Sequence, residues 1–245
     1  MAVKPIVTVW NENKINKKNI KFLTDPTVSV EFPLSNLDKE IIQDLKDSAD
    51  SIPCAGIAAN QIRYSKKIFI AQADLYSNSY EIFINPTIKK YFEDSLILPF
   101  EEGGQKDNTV TENCSELLVE GCLSIPGYDM IFPRYNKIEV EYYKESGEKV
   151  NELRKGFMAI VFQHETDHLN GMTIAGRFLE GLRDKQSSVM SEVEKREIFK
   201  LDREKLEIIE NIKECETEGD LNQSFIDESY KKFDLLLGEI VNLTK

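Results

Sequence analysis

The chain has 245 residues, 41% of them hydrophobic and 30% charged, which is room for one globular domain with an appendage. Its net charge of −12 argues against a general nucleic-acid binder, which would set clustered Lys and Arg against phosphates. No apolar run approaches the roughly 18 residues that span a bilayer. Residues 1–10 lack the apolar core of a signal peptide and the Arg/Ser-rich character of a transit peptide, so a cytoplasmic location is the default expectation.

Residues 6–9 read as an extended start, followed by a polar loop whose Lys14, Lys17, Lys18 and Lys21 form a solvated surface. Apolar Leu37, Ile41, Ile42 and Leu45 then recur at helical spacing behind an N-cap at Ser35 or Asn36, predicting a helix to about Ser51, ahead of Pro53. The small residues Ala55, Gly56, Ala58 and Ala59 allow close backbone approach and suit a strand edge against which an extended peptide can lie. Residues 67–71 and 80–85 read as two strands joined by a polar turn, with Pro86 closing the second and residues 87–92 continuing the sheet. Residues 93–118 form a long polar connection. Residues 137–143 alternate as a half-buried strand should, Ser146 and Gly147 turn it, and a helix is expected from about Glu152 until Gly171.

That last helix carries the chain's two histidines, His164 and His168, in the run His-Glu-Thr-Asp-His. A helix turns once per 3.6 residues, so imidazoles four apart share a face and can converge on one ion, with Glu165 within reach of water beside it. The chemistry that suits this geometry is metal-assisted hydrolysis. A third ligand is needed. Downstream, Glu180, Glu192 or Glu194 qualify, as in a zinc endopeptidase; upstream, Cys122 in Glu-Gly-Cys-Leu-Ser offers a thiolate. Four cysteines do not make a disulfide framework in a chain this size, and Cys54, Cys114 and Cys215 are expected to be free thiols, the first of them buried.

Taken in order, Gly-Ile-Ala-Ala-Asn-Gln at 56–61, Glu-Gly-Cys-Leu-Ser at 120–124 and Gln-His-Glu-Thr-Asp-His-Leu-Asn-Gly at 163–171 resemble the three motifs of the peptide deformylases, the first in part and the others at every signature position. The resemblance covers roughly residues 4–182. It implies an α+β fold of mixed, mainly antiparallel strands around a central metal-binding helix, and removal of the formyl group from N-formylmethionyl peptides. It implies that Cys122, His164 and His168 hold one divalent ion, Fe2+ being expected and Zn2+, Ni2+ or Co2+ able to take the same ligands. Glu165 would move the proton, while Gln61 and the Leu123 backbone N–H hold the oxyanion. Ala55, Gly56, Gly121 and Ile160 would contact substrate, and Glu120 would pair with Arg134 to steady Cys122. Cys54 stands where the family has a first glycine and would crowd the peptide groove. The 93–118 connection is longer than in typical members and reads as an insertion. An inactive deformylase-like binding module is the remaining alternative, disfavoured by the intact Gln61, Cys122 and Glu165.

Residues 183–245 hold sixteen acidic against eleven basic residues, a net of −5, and leave −7 for residues 1–182. Apolar Ile198, Leu201, Ile208 and Ile212 line one helix face, and Ile226, Tyr230, Phe233, Leu237 and Ile240 another, with a polar break at 218–222 that predicts a helical hairpin. The division expected is a catalytic unit over 1–182 and an acidic helical extension over 183–245, dispensable for chemistry. Formylated peptides are the expected partners and the ribosome a transient one, with no specific nucleic acid and no membrane. A monomer is favoured.

Overall fold

The computed structural model describes residues 3–11, 14–73, 79–92, 96–97, 119–131, 134–177 and the helical positions 232, 235, 236, 238–240 and 242. The expected hairpin of the extension, and all of the 93–118 connection except residues 96–97, lie outside the described residues.

The elements run β1 (Trp10–Asn11), β2 (Lys14–Ile15), α1 (Lys17–Thr24), α2 (Asn36–Ser51), β3 (Gly56–Ala58), a single 3-10 turn (Ala59–Ile62), β4 (Ile68–Gln72) and β5 (Tyr80–Tyr91). They continue with β6 (Leu96–Ile97), β7 (Val119–Gly121), β8 (Asp129–Ile131), β9 (Arg134–Tyr135), β10 (Lys137–Tyr143), β11 (Lys149–Lys155) and α3 (Phe157–Leu169). Five strands form one sheet in the order β11-β10-β5-β4-β3, and two-stranded ladders join β1 to β2, β6 to β9 and β7 to β8. Every ladder among the described residues is antiparallel, and the parallel component is one isolated bridge between Val28 and Lys66. Helix, antiparallel sheet and a helix laid on each sheet face make this an α+β fold.

Period-two alternation along β4 decides how the two helices are held. Ile68 and Ile70 bury on one face with Ile41, Ile42, Leu45 and Ala49 of α2, while Phe69 and Ala71 bury on the other with Ala159, Val161 and Phe162 of α3. Because both faces are covered, β4 reads as an unbroken apolar run. Phe162 meets Phe69 and Phe83 edge-on at 5.2 and 5.3 Å, and those two stack on each other at 4.5 Å. Burying each of these rings contributes roughly 1.5–3 kcal/mol, and together they fix the depth at which α3 lies on the sheet.

α2 spans 36–51 as its periodicity predicts, and Ser35 is the N-cap, exchanging hydrogen bonds with Asp38 in a capping box. Three expectations need correction. The lysine-bearing loop is in part the helix α1: Asn16 accepts a hydrogen bond from the Asn19 N–H, and Ile20 and Leu23 bury. With two apolar anchors in eight residues, its period is too short to stand out from a loop. β5 is not closed by Pro86 but runs through it to Tyr91. It pairs with β4 up to Ile84 and with β10 from Ile84 to Tyr91, and the proline sits in the register shift between the Ile84–Tyr143 and Thr87–Glu141 pairs, a bulge that tolerates a residue without an N–H. Finally, residues 149–155 are a strand and α3 starts at Phe157. The alternation of Val150, Glu152 and Arg154 with exposed neighbours is a strand pattern, paired along its whole length with β10. Gly156, at φ 61°, makes the corner from strand to helix, a conformation that an L side chain disfavours.

Candidate metal centre and active site

α3 is the only helix among the described residues that carries histidine, and it delivers both imidazoles to one side, their ring centroids 5.0 Å apart. The thiol comes from a loop. β7 ends at Gly121, and the next residue turns its side chain inward, so that the Cys122 Sγ lies 3.2 Å from the His168 Nε2. The Cys122, His164 and His168 ligand atoms all lie within 4.8 Å of one another. A thiolate and two imidazoles suit a soft or borderline divalent ion, and three protein ligands leave a position open.

The environment prepares those ligands. Burial works against ionising the Cys122 thiol, but the imidazoles of His168 and His164 more than offset it and hold the pKa down to about 5. The His164 Nδ1 meets the Glu120 Oε2 at 2.7 Å, which leaves its Nε2 for the centre. Glu120 is itself clamped by Arg134, Nε to Oε1 at 2.6 Å and Nη2 to Oε2 at 2.9 Å. Despite its burial, the Arg134 guanidinium keeps that carboxyl at about 2. Glu120 and Arg134 therefore pair as expected, but the ligand they steady is His164 and not Cys122. Arg134 also reaches Asp167 at 2.7 Å, and Asp167 in turn meets Arg177. Neither Asp167 nor Arg177 was legible as part of this network, although Asp167 lies three residues from His164, on the adjoining face of the helix.

The buried Glu165 does not join the three ligands. Its carboxyl is pushed up to about 7 by burial, against the pull of His164 and His168, and its Oε2 has no hydrogen-bond partner among the described residues. A buried, unpartnered carboxylate oxygen is costly unless water, an ion or substrate meets it. This orphan oxygen, together with the donor set, fits a centre that holds a cation beside a reacting water. The ion's charge would also favour the ionised carboxylate.

Gln61 sits in the 3-10 turn with its amide fixed in direction. The Oε1 accepts from the Ala58 N–H at 2.9 Å, which aims the Nε2 at Ser124 Oγ (3.4 Å) and Cys122 Sγ (3.7 Å). Gln61, Leu123, Ala55, Gly56, Gly121 and Ile160 all line one pocket of about 440 Å³, together with Cys122, His164 and Glu165. His168 is not among its lining residues. Cys54 also lines the pocket, half-buried and not buried as expected, and burial pushes its thiol up to about 12, so it is a neutral wall. The sequence reading missed Phe157 and Val161 as walls. The signal was there: 157, 160, 161 and 164 repeat at spacings of three, one and three, one face of α3.

β3 brings Gly56 against α3, and a Cβ built there would stand 2.8 Å from the Glu165 Oε1 and 3.0 Å from the Val161 Cγ1. Gly56 is therefore a residue without which Glu165 cannot keep its place. In Gly56→Ala the carboxylate must move, and turnover should fall by roughly 10²-fold, the cost of an ångström-scale misplacement. Metal content should remain that of the parent. Single-turnover rates beside metal analysis would check this, and an unchanged rate would show that Glu165 has slack.

A buried Cys-His-His group with an acid poised beside it in a pocket defines a metal-dependent hydrolase. Comparison with known proteins agrees. Residues 12–183 match the model of the family described as polypeptide deformylase. A peptide deformylase from Aquifex aeolicus is 33% identical over 169 residues, which cover 66% of this chain and 85% of the relative. A second relative, peptide deformylase 2 of Corynebacterium efficiens, is 33% identical over 73% of this chain and 83% of its own length. Among solved structures, the peptide deformylase from Thermus thermophilus superposes with a TM-score of 0.55 at 26% identity, covering 76% of this chain and 94% of that one. The chain belongs to the polypeptide deformylase family, whose reaction is the metal-dependent removal of N-terminal formyl groups. No helix among the described residues is long and apolar enough to cross a membrane.

Proposed function

We propose that this enzyme removes the formyl group from N-formylmethionyl peptides, releasing formate and a free amino terminus. The observation that carries the reading is the convergence of Cys122, His164 and His168 within 4.8 Å beside the unpartnered Glu165 Oε2. In this reading Cys122, His164 and His168 hold the divalent ion, with Fe2+ favoured and Zn2+, Ni2+ or Co2+ compatible with the same donors. The ion, when bound, supplies Lewis acidity, polarising the formyl carbonyl and lowering the pKa of water towards about 7.

The chain's own groups do the rest. Glu165 takes a proton from the attacking water at its open oxygen and returns it to the departing nitrogen. The Gln61 Nε2, directed inward by the Ala58 hydrogen bond, and the Leu123 backbone N–H donate to the developing oxyanion. β3 is an edge strand, so Ala55 and Gly56 offer their backbone to an extended peptide, with Gly121 on the far side of the groove. Ile160 and its neighbour Val161 wall the methionine pocket. Residues 1–182 are the catalytic unit, since every residue given a role here lies between 55 and 168, and 183–245 are an extension. A monomer in the cytoplasm, meeting the ribosome transiently through nascent chains, is consistent with this reading.

The rival zinc endopeptidase needs a downstream third ligand, and Glu180, Glu192 and Glu194 all lie outside the described residues. Separate replacement of Cys122 and Glu192 distinguishes the two. The direct test is formate release from formyl-Met-Ala-Ser by the Fe2+-loaded protein under anaerobic conditions. Formate stoichiometric with new amino termini is expected. No formate from protein shown to hold its metal would sink the proposal.

A further inference from the structure

The C-terminal helical positions reach back to the catalytic unit. Leu236 is fully buried and Ile240 is 3% exposed, and both belong to one apolar cluster with Val7, Val9, Trp10, Ile125 and Tyr128. Lys232, one turn before Leu236, holds its ammonium 4.5 Å from the centre of the Trp10 ring, and Glu239 pairs with Lys17 of α1 at 2.7 Å. Positions 232, 236 and 240 are successive i, i+4 steps, so one helix face makes these contacts. The residue buried beside Ile240 is Leu236, which the sequence reading did not place in its stripe; Leu237, which it did, lies outside the described residues.

Trp10 then meets the pocket wall. Its ring lies 5.5 Å from that of Tyr128, its Nε1 donates to the Pro126 carbonyl at 3.3 Å, and the Val9 N–H donates to the Ser124 carbonyl at 2.9 Å. Tyr128, Pro126 and Ile125 line the pocket. An unbroken set of contacts thus runs from the C-terminal helix through Trp10 to the loop that forms one side of the peptide groove.

We infer that this helical face is an intramolecular prop which, through Trp10, holds the 125–128 wall in its peptide-binding form, making Leu236 and Lys232 positioning residues for peptide binding. The inference rests on the deformylase reading for its substrate. The metal ligands have supports of their own: two sit on α3, and Cys122, although it shares the apolar cluster with Trp10 and Leu236, follows β7, which is paired with β8 and anchored by Glu120 to Arg134. Loss of the prop should therefore weaken peptide binding and spare the metal.

Trp10 is the only tryptophan in the chain, so its emission reports the docking directly. The test uses full-length protein carrying Leu236→Asp, with Leu236→Ala and Lys232→Ala as milder variants. In Leu236→Asp, Trp10 emission should shift to the red and metal content should match the parent. KM for formyl-Met-Ala-Ser should rise about tenfold with kcat within about threefold, inside the 5–150-fold range typical of coupled sites. Shifted emission with an unchanged KM would overturn the inference, as would unshifted emission, since Leu236 would then not hold Trp10. Metal lost together with docking would also overturn it, because the prop would then serve the ligands and not the groove. Should Leu236→Asp fail to fold, the milder variants decide: a smaller change of the same sign supports the inference, and an unchanged KM in both rejects it. If the parent itself releases no formate, the deformylase reading fails alone, because Trp10 emission and the binding of Met-Ala-Ser still measure the docking and its coupling to peptide.

Discussion

Glu165→Gln is expected to lower turnover by at least about 10²-fold, the lower end of what a general base contributes, while metal content stays at the parent's level. The amide keeps the shape of the carboxylate and its packing against Gly56, but it cannot accept a proton from water. Glu165 is the acid whose Oε2 has no partner among the described residues, and the three donors beside it already suffice for an ion. Formate release in a single turnover, measured on protein assayed for bound metal, checks both halves. A variant purified without metal would move Glu165 among the ligands.

Cys122→Ala should lose metal and activity together. Two imidazoles remain, too few to hold a catalytic ion well. Residues that merely support ligands already cost 10- to 100-fold in metal affinity when removed, so loss of a ligand should cost at least about 100-fold. Metal analysis after dialysis against a chelator, beside formate release, is the measurement. One tightly bound ion in the variant would count decisively against the thiolate. A related expectation is that the Fe2+ form loses activity in air, since both the ferrous ion and its thiolate can oxidise.

Whatever depends on residues close together in the chain is legible in one dimension. Histidines four apart on an apolar helix share a face wherever that helix packs, and Ser35 caps α2 through a residue three positions on. Alternation along 137–143 marked a strand because side chains of period two either face the core or do not. These are one-dimensional signals, and the three ordered motifs added family knowledge to them.

Contacts between residues far apart in the chain set the remainder. That Cys122 lies beside His168 is a contact across 46 residues, set by the turn after β7 and the depth of α3 on the sheet. Glu120 serves His164 because Arg134 of β9 clamps it, a choice between two nearby ligands that no spacing encodes. Residues 149–155 are a strand because β10 supplies a partner for each of them, whereas in the sequence the apolar residues of α3 follow so closely that strand and helix merge. Ile240 lies on an apolar helix face in either description, but its buried neighbour Leu236 and their partner, the layer behind Trp10, are joined to it only by the fold. Local periodicity says which side of an element is apolar; which other apolar surface covers it depends on the path of the whole chain.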